Sequence, residues 1–450
     1  MSLRDAAGPV NASDWETYSI EELAAPVPRA IAIGPFGSSM KANLYVEHGV
    51  PVIRGTNLGP SRGLVGDFVY VSEETADRLA GANVREGDLV FPHRGAIGEV
   101  GIIEGAAARF VLSTSMMKLT CDREKVDPLY LYYFFRSAVG RHELLKNASQ
   151  VGTPGIATPL SSLKSIGVML PPLPEQRAIA HILGTLDDKI ELNRRMNATL
   201  EEMARALFKS WFVDFAPVRA KAAGRQPAGM DAATAALFPD SFEDSELGEI
   251  PRGWEVGALL SRAHLLSGGT PRTSEPAYWN GPIPWASAKD VSQAGTCFLT
   301  STERTITERG VAESSARMID AFSTVVVARG ATTGRHVMLG HAMAMNQTCY
   351  ALRSYTNHHF ALFCQFGHIV NELTFAAHGS VFDTITTRTF ESHRVLLPTL
   401  RIIAAFDSHV APKFQAILAN QKQTATLSRI RDTLLPHLLS GNIASTGVGT

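Results

Sequence analysis

Gly152-Thr153-Pro154 through Leu170-Pro171-Pro172-Leu173 returns as Gly379-Ser380-Val381 through Leu397-Pro398-Thr399-Leu400, displaced by 227 residues. The register holds without a gap. Asn193 matches Asn420, Ala198-Thr199-Leu200 matches Ala425-Thr426-Leu427, and Leu207 matches Leu434. The chain is two tandem copies of one unit. Each copy opens on a Trp-Glu pair, Trp15-Glu16 and Trp254-Glu255, 239 residues apart. Each then carries a buried-strand run closing on an Arg-Gly turn, Asp88-Leu89-Val90-Phe91-Pro92-His93-Arg94-Gly95 and Ser323-Thr324-Val325-Val326-Val327-Ala328-Arg329-Gly330, here 235 apart. A front that drifts and a back that does not imply two jobs.

The backs read as helices. Leu186, Ile190, Asn193, Asn197, Leu200, Ala204, Leu207 and Trp211 alternate steps of four and three, a heptad seam. The matching positions Lys413, Ile417, Asn420, Thr424, Leu427, Arg431, Leu434 and Leu438 make a poorer seam, improved if Phe414 and Ile430 also turn inward. Both helices are expected to partner in one coiled coil. Gly184-Thr185 and Ala411-Pro412 predict a break in each back, with Thr185 and Asp188 as a capping box for the longer piece. Leu186 to Phe212 is 27 residues, about 40 Å of helix, against roughly 34–36 Å between successive major-groove faces of B-DNA. A spacer between two DNA readers and an ordinary hairpin both fit that length.

The fronts are rich in Gly, Pro and short β-branched runs such as Val50-Pro51-Val52-Ile53 and Thr324-Val325-Val326-Val327, and predict compact β-rich domains. Leu129–Arg136 and His359–Cys364 are the expected buried helices. Between the copies, residues 216–253 read as a linker with a short helix at 231–237. Residues 1–11 and 443–450 read as loose ends. The stretch 226–251 holds six acidic residues and no basic one, so the near-neutral total of 42 basic and 43 acidic residues leaves the rest slightly basic. That mildly favours an anionic partner.

No apolar run approaches a membrane span and no secretory leader opens the chain, so the cytoplasm is the expected compartment. Four scattered cysteines lack zinc or disulfide spacing. Gly330-Ala331-Thr332-Thr333-Gly334-Arg335 has neither the spacing nor the Lys of a phosphate-binding loop. No His-Glu-x-x-His or Asn/Asp-Pro-Pro-aromatic motif occurs, and no catalytic or metal residue is assigned. The candidates are polar loops for DNA. Arg94 beside His93, and Arg329 beside Thr332 and Thr333, sit in glycine-flanked turns from which a guanidinium can reach guanine or phosphate. Ser113-Thr114 and Asn346-Gln347 form a second pair, where an amide can read adenine; Lys41, Arg54 and Lys289 are further cations. Turn chemistry and strand capping explain the same residues without DNA.

Leu170-Pro171-Pro172-Leu173-Pro174-Glu175-Gln176-Arg177-Ala178-Ile179-Ala180, the heptad helix that follows, and Leu237-Phe238-Pro239-Asp240 through Gly253-Trp254-Glu255 resemble the DNA specificity subunit of type I restriction-modification systems, over nearly the whole chain. The resemblance implies an α+β architecture: target-recognition domains at 1–169 and 254–396, conserved helical regions at 170–215 and 397–442 forming an antiparallel coiled coil, and the linker at 216–253. It implies a non-catalytic subunit that reads a bipartite site in double-stranded DNA and docks two methyltransferase subunits and restriction/translocase subunits. S-adenosylmethionine, ATP and Mg would belong to those partners. Pro174, Glu175, Gln176, Asn193 and Asn420 are the implied docking residues. The second copy departs, with Thr399-Leu400-Arg401-Ile402 where the first has Pro-Leu-Pro-Glu, so the two docking surfaces are expected to be unequal. An orphan interaction scaffold, the recognition part of a self-sufficient restriction-methylation enzyme, and a monomeric modifying enzyme remain the alternatives.

Overall fold

The computed structural model describes residues 15–59, 61–105, 109–149, 154–377 and 384–443. The opening residues of the sequence repeat, 152–153 and 379–381, fall outside them, as do the tails except Ile443. The chain divides into a first unit, residues 1–192 with 424–450, and a second unit, residues 193–423.

Two helices of 40 residues, Leu173–Phe212 and Leu400–Leu439, begin and end at matching points of the repeat. Each is about 60 Å long at 1.5 Å per residue. Neither breaks where the sequence predicts. Gly184 is helical because a Cβ there would stand 3.2 Å from Leu129 and 3.3 Å from the Arg62 guanidinium, so its smallness serves packing. The Thr185 hydroxyl donates to the His181 carbonyl at 2.8 Å and Asp188 pairs with Arg62, so no capping box forms. Pro412 lies within the second helix, where the lost backbone bond is tolerated.

Inside each unit, portions of the two helices run antiparallel. In the first unit Arg431 donates to Asp187 at 2.7 Å, and Leu438 joins the core around Ile179 and Leu183. In the second, Asn193 Nδ2 donates to Gln423 at 2.9 Å, Asn420 Nδ2 donates to Asn197 at 3.0 Å, and Phe208 meets Phe406 edge-on. Every residue of the first predicted seam is buried or half-buried. On the second helix Phe414 turns inward as expected, but Ile430 is 42 % exposed.

Each front is tied to its helix by a four-residue antiparallel ladder: Glu16–Ser19 with Gly167–Leu170 in the first unit, Glu255–Ala258 with Arg394–Leu397 in the second. Two sheets follow in each. One contains Ile31–Ile33, Met116–Leu119, Leu89–Pro92 and Gly101–Ile102 in that order, matched by Ala263–Ser267, Cys349–Ser354, Thr324–Val327, His336–Leu339 and Phe298–Leu299. The other is ordered Tyr45–Val46, Val69–Val71, Val50–Ile53, Phe110–Leu112 and Asn83–Val84, matched by Arg304–Ile306, Trp279–Ala286, Met343–Met345 and Met318–Ile319. Strands such as Thr324–Val327 are wholly buried, which is why their β-branched runs lack polar alternation. The expected helices appear as Pro128–Arg136 and His359–Ala377.

The predicted linker is folded. Ala216–Ala222 and Ala232–Ala236 are helices, the second capped by Asp231, and Phe242–Ser245 pairs with Gly248–Pro251 as a hairpin. Phe238 packs edge-on to Trp211, centroids 5.0 Å apart, and Val218, Ile250 and Trp254 enter the same core. Burial of these apolar side chains outweighs the acidic, turn-rich composition on which the linker reading rests.

Candidate nucleic-acid interface

In the first unit the buried strand Leu89–Pro92 ends on His93, after which Arg94 emerges into solvent. Gly95 and Gly98 hold the turn at φ of 81° and 88°, a region open to glycine and costly for other residues. Gly95 N donates to Pro154 O at 3.0 Å and Ile156 N to His93 O at 3.0 Å, so the turn lies against the segment that begins the conserved repeat. On its other side His93 N donates to Ser115 O at 2.9 Å, and Ser113 N to Ile53 O at 2.9 Å.

The second unit repeats three of these four contacts among the described residues. Arg329 is exposed, followed by Gly330 and Gly334 at φ of 99° and 90°. Ile385 N donates to Ala328 O at 2.9 Å, Ala328 N to Thr348 O at 2.8 Å, and Asn346 N to Ala286 O at 2.9 Å. A further loop closes over each: a Cβ on Gly34 would stand 1.9 Å from Ser113 O, and one on Gly268 2.0 Å from Asn346 O. Each front thus gathers the Arg-Gly turn, the Ser-Thr-Ser or Asn-Gln-Thr turn, a glycine loop and one strand end into one loop cluster.

The sequence candidates separate into presented and spent groups. Among the described residues, Arg94, Arg329 and Lys41 are exposed and make no ion pair or side-chain hydrogen bond, so their charge is available to phosphate or a base edge. Thr114 and Thr332 are exposed beside them. Gln347 is exposed with its amide oxygen held by Thr270, and Asn346 accepts from Thr348 Oγ1 at 2.7 Å, so each keeps its NH2 group for a partner. Thr333 is spent on the Gly330 carbonyl at 2.7 Å.

His93 is a support. It is buried, its Nε2 lies 3.2 Å from the Thr114 carbonyl, and burial pushes its pKa below the usual imidazole range, so the ring is neutral and donates to that carbonyl. Ser113 is likewise buried, its hydroxyl 3.3 Å from that of Ser115. Arg54 donates to the Asp67 carbonyl at 2.9 Å and holds a loop. Lys289 is neutralised by Glu303 at 2.6 Å. Sequence reasoning passes over Phe36, 76 % exposed two residues beyond Gly34; its Gly-Pro-Phe-Gly setting is the signal available.

The proposed docking residues also divide. Pro174 is exposed and Glu175 half-buried, its carboxyl pKa raised by burial. Gln176, 1 % exposed, donates to Pro171 O at 2.9 Å and Lys125 O at 3.2 Å and accepts from Asp127 N at 3.0 Å. That corrects its docking role: it locks the helix start to the front. The amides of Asn193 and Asn420 bond across the helix pair, Asn193 buried and Asn420 half-buried. Among the described residues no group of His, Cys, Asp and Glu could hold a metal, and no helix is long and apolar enough to cross a membrane.

The family model described as the type I restriction modification DNA specificity domain matches twice, over residues 12–202 and 251–427. The chain belongs to that family. The two matches coincide with the two copies of the unit, and a specificity subunit of type I restriction-modification systems is what the tandem arrangement makes. It is similar to the type I restriction enzyme HindI specificity subunit of Haemophilus influenzae, at 27 % identity over 96 % of this chain and all of that one. The MjaIX specificity subunit of Methanocaldococcus jannaschii is also 27 % identical, over 96 % of this chain and 94 % of its own. Among solved structures, the type I restriction-modification S subunit from M. genitalium shares the fold, with a TM-score of 0.58 at 16 % identity over 94 % of this chain and 96 % of that one.

Proposed function

We propose that this specificity subunit reads a bipartite DNA site with its two loop clusters, one half-site each, and directs adenine methylation and restriction carried out by partner subunits. The observation that carries this reading is the repeated backbone lattice that exposes in each unit an arginine, Arg94 or Arg329, unpaired among the described residues, beside a second polar turn that differs between the two. A shared scaffold sets position; differing side chains set sequence.

The bond-making chemistry belongs to the partners: two methyltransferase subunits that use S-adenosylmethionine, and restriction/translocase subunits that use ATP and Mg, acting in the cytoplasm. Docking falls to the outward faces of the two long helices, with Pro174 and Glu175 at the start of the first. Because the second helix starts Leu400-Arg401-Ile402 instead, the two docking surfaces differ in charge and shape.

Co-expression with the cognate methyltransferase subunit, followed by sequencing of methylated adenines in host DNA, tests the reading. One bipartite, adenine-containing motif is the expected result. Exchange of residues 15–165 for another such front should alter one half of that motif only. Purified complexes that methylate no bipartite site, or an exchange that alters both halves, would overturn it.

A further inference from the structure

On the outer strand of the second unit, Arg304 lies face-on to Trp279, its guanidinium carbon 3.6 Å from the ring centroid. Trp279 is buried and fixed twice: its indole N–H donates to Arg272 O at 3.0 Å, and its ring stands edge-on to Trp285 with centroids 5.3 Å apart. Trp285 in turn donates to Gly269 O at 3.0 Å. Face contact with an indole orients a guanidinium while leaving its in-plane N–H donors unused. Arg304 is exposed, and among the described residues its side chain has no acidic partner and no hydrogen bond; the adjacent Glu303 is taken by Lys289.

The strand register ties this group to the loop cluster. Arg304 pairs with Trp285, Trp285 pairs with Ala344, and the strand of Ala344 runs directly into Asn346-Gln347. Two strand spacings separate Arg304 from that strand, about 10 Å. The first unit has the same ladder without the device: Val52 pairs with Val69 and with Val111, so valine stands where the second unit has arginine. A difference on a shared scaffold is what two heads reading different half-sites require.

We propose that Arg304 is a specificity-determining residue of the second unit, presenting its guanidinium fork to the edge of a base pair in that unit's half-site. A planar fork held against a rigid ring suits paired acceptors such as O6 and N7 of guanine. The inference rests on the DNA-reading role proposed above.

The test uses the full complex with its methyltransferase partner and two variants, Arg304→Lys, which keeps the charge and loses the fork, and Arg304→Gln. Methylated-adenine sequencing reads the site, and duplex binding over a salt series reads the backbone contact. Both variants should make one base pair of one half-site degenerate, with discrimination there falling about tenfold or more, while the other half stays intact. An unchanged motif in Arg304→Lys would overturn the assignment and leave the stack structural. So would a uniform loss of affinity in Arg304→Gln with a shallower salt dependence and an unchanged motif, because that marks a phosphate contact. Wild-type complexes that methylate no bipartite site would instead defeat the DNA-reading role itself. Should Arg304→Gln not assemble, Arg304→Lys decides alone.

Discussion

Within the first unit the two long helices are cross-linked by charge, and within the second the matching positions are hydrocarbon. Asp187 accepts from Arg431 at 2.7 Å and from the Tyr133 hydroxyl at 2.8 Å, and burial with the neighbouring Asp187 carboxylate raises the Tyr133 pKa. The residues 227 positions away from Asp187 and Arg431 are Phe414 and Ala204. Both are buried, and Phe414 stacks on Phe360 with centroids 5.2 Å apart. One helix geometry therefore accepts an ion pair with a phenol, or an aromatic stack. The two do different work: an apolar contact stabilises with little directional preference, whereas a buried pair penalises any register that leaves one charge alone.

The comparison can be broken by exchange. Phe414→Ala should cost the second unit roughly 3–5 kcal/mol through lost contact and cavity. Asp187→Ala should cost the first about 3 kcal/mol, because Arg431 and the Tyr133 hydroxyl lose their shared acceptor. Transplanting the second solution into the first, Asp187→Phe with Arg431→Ala and Tyr133→Phe, should return most of that loss. Denaturant melts read by tryptophan emission check all three, since Trp15 alone reports the first unit and the other four tryptophans the second. A triple variant no more stable than Asp187→Ala would sink the claim that the crossings are interchangeable.

The reading heads sharpen the comparison at smaller cost. Arg94→Ala and Arg329→Ala should each weaken binding about tenfold while leaving melting unchanged. If base edges are read, degeneracy appears in a different half-site for each; a variant that affects both halves contradicts separate heads.

A still smaller effect comes with pH. Burial lowers the pKa of His93 in the first unit and of His336, His341, His359 and His393 in the second. An imidazole whose folded pKa lies below its unfolded value of 6.5 binds its proton more readily when the chain is unfolded. Its stabilising contribution is therefore complete above about pH 6.5 and is lost as pH falls through the folded value. Between pH 7.5 and 5.5 the second unit should lose more melting temperature than the first; equal losses would remove the histidines as the cause.

What was legible in the sequence was local or repeated. The heptad seam, the internal offset and the glycine-flanked arginines all survive in the structure, because period and turn chemistry act over a few residues. What failed depended on distant partners. Gly184 reads as a helix end until Leu129 and Arg62 are found against it. Gln176 reads as a surface contact until the carbonyls that use it are seen. Arg54 and Lys289 look as available as Arg94, and only Asp67 and Glu303 show otherwise. Pairing of Glu16–Ser19 with Gly167–Leu170, and hence the closure of each front, has no local sequence signal at all.

That closure makes each front a cassette. Its first and last strands are neighbours in one ladder, so its entry and exit points lie about 5 Å apart, and the strand that leaves it leads straight into the long helix. Recombination that cuts within the two ladder strands can replace everything between them while the helix receives the chain at the same place and in the same direction. On the function proposed above, a lineage can in this way change one word of its DNA address in a single event and leave both long helices as they were.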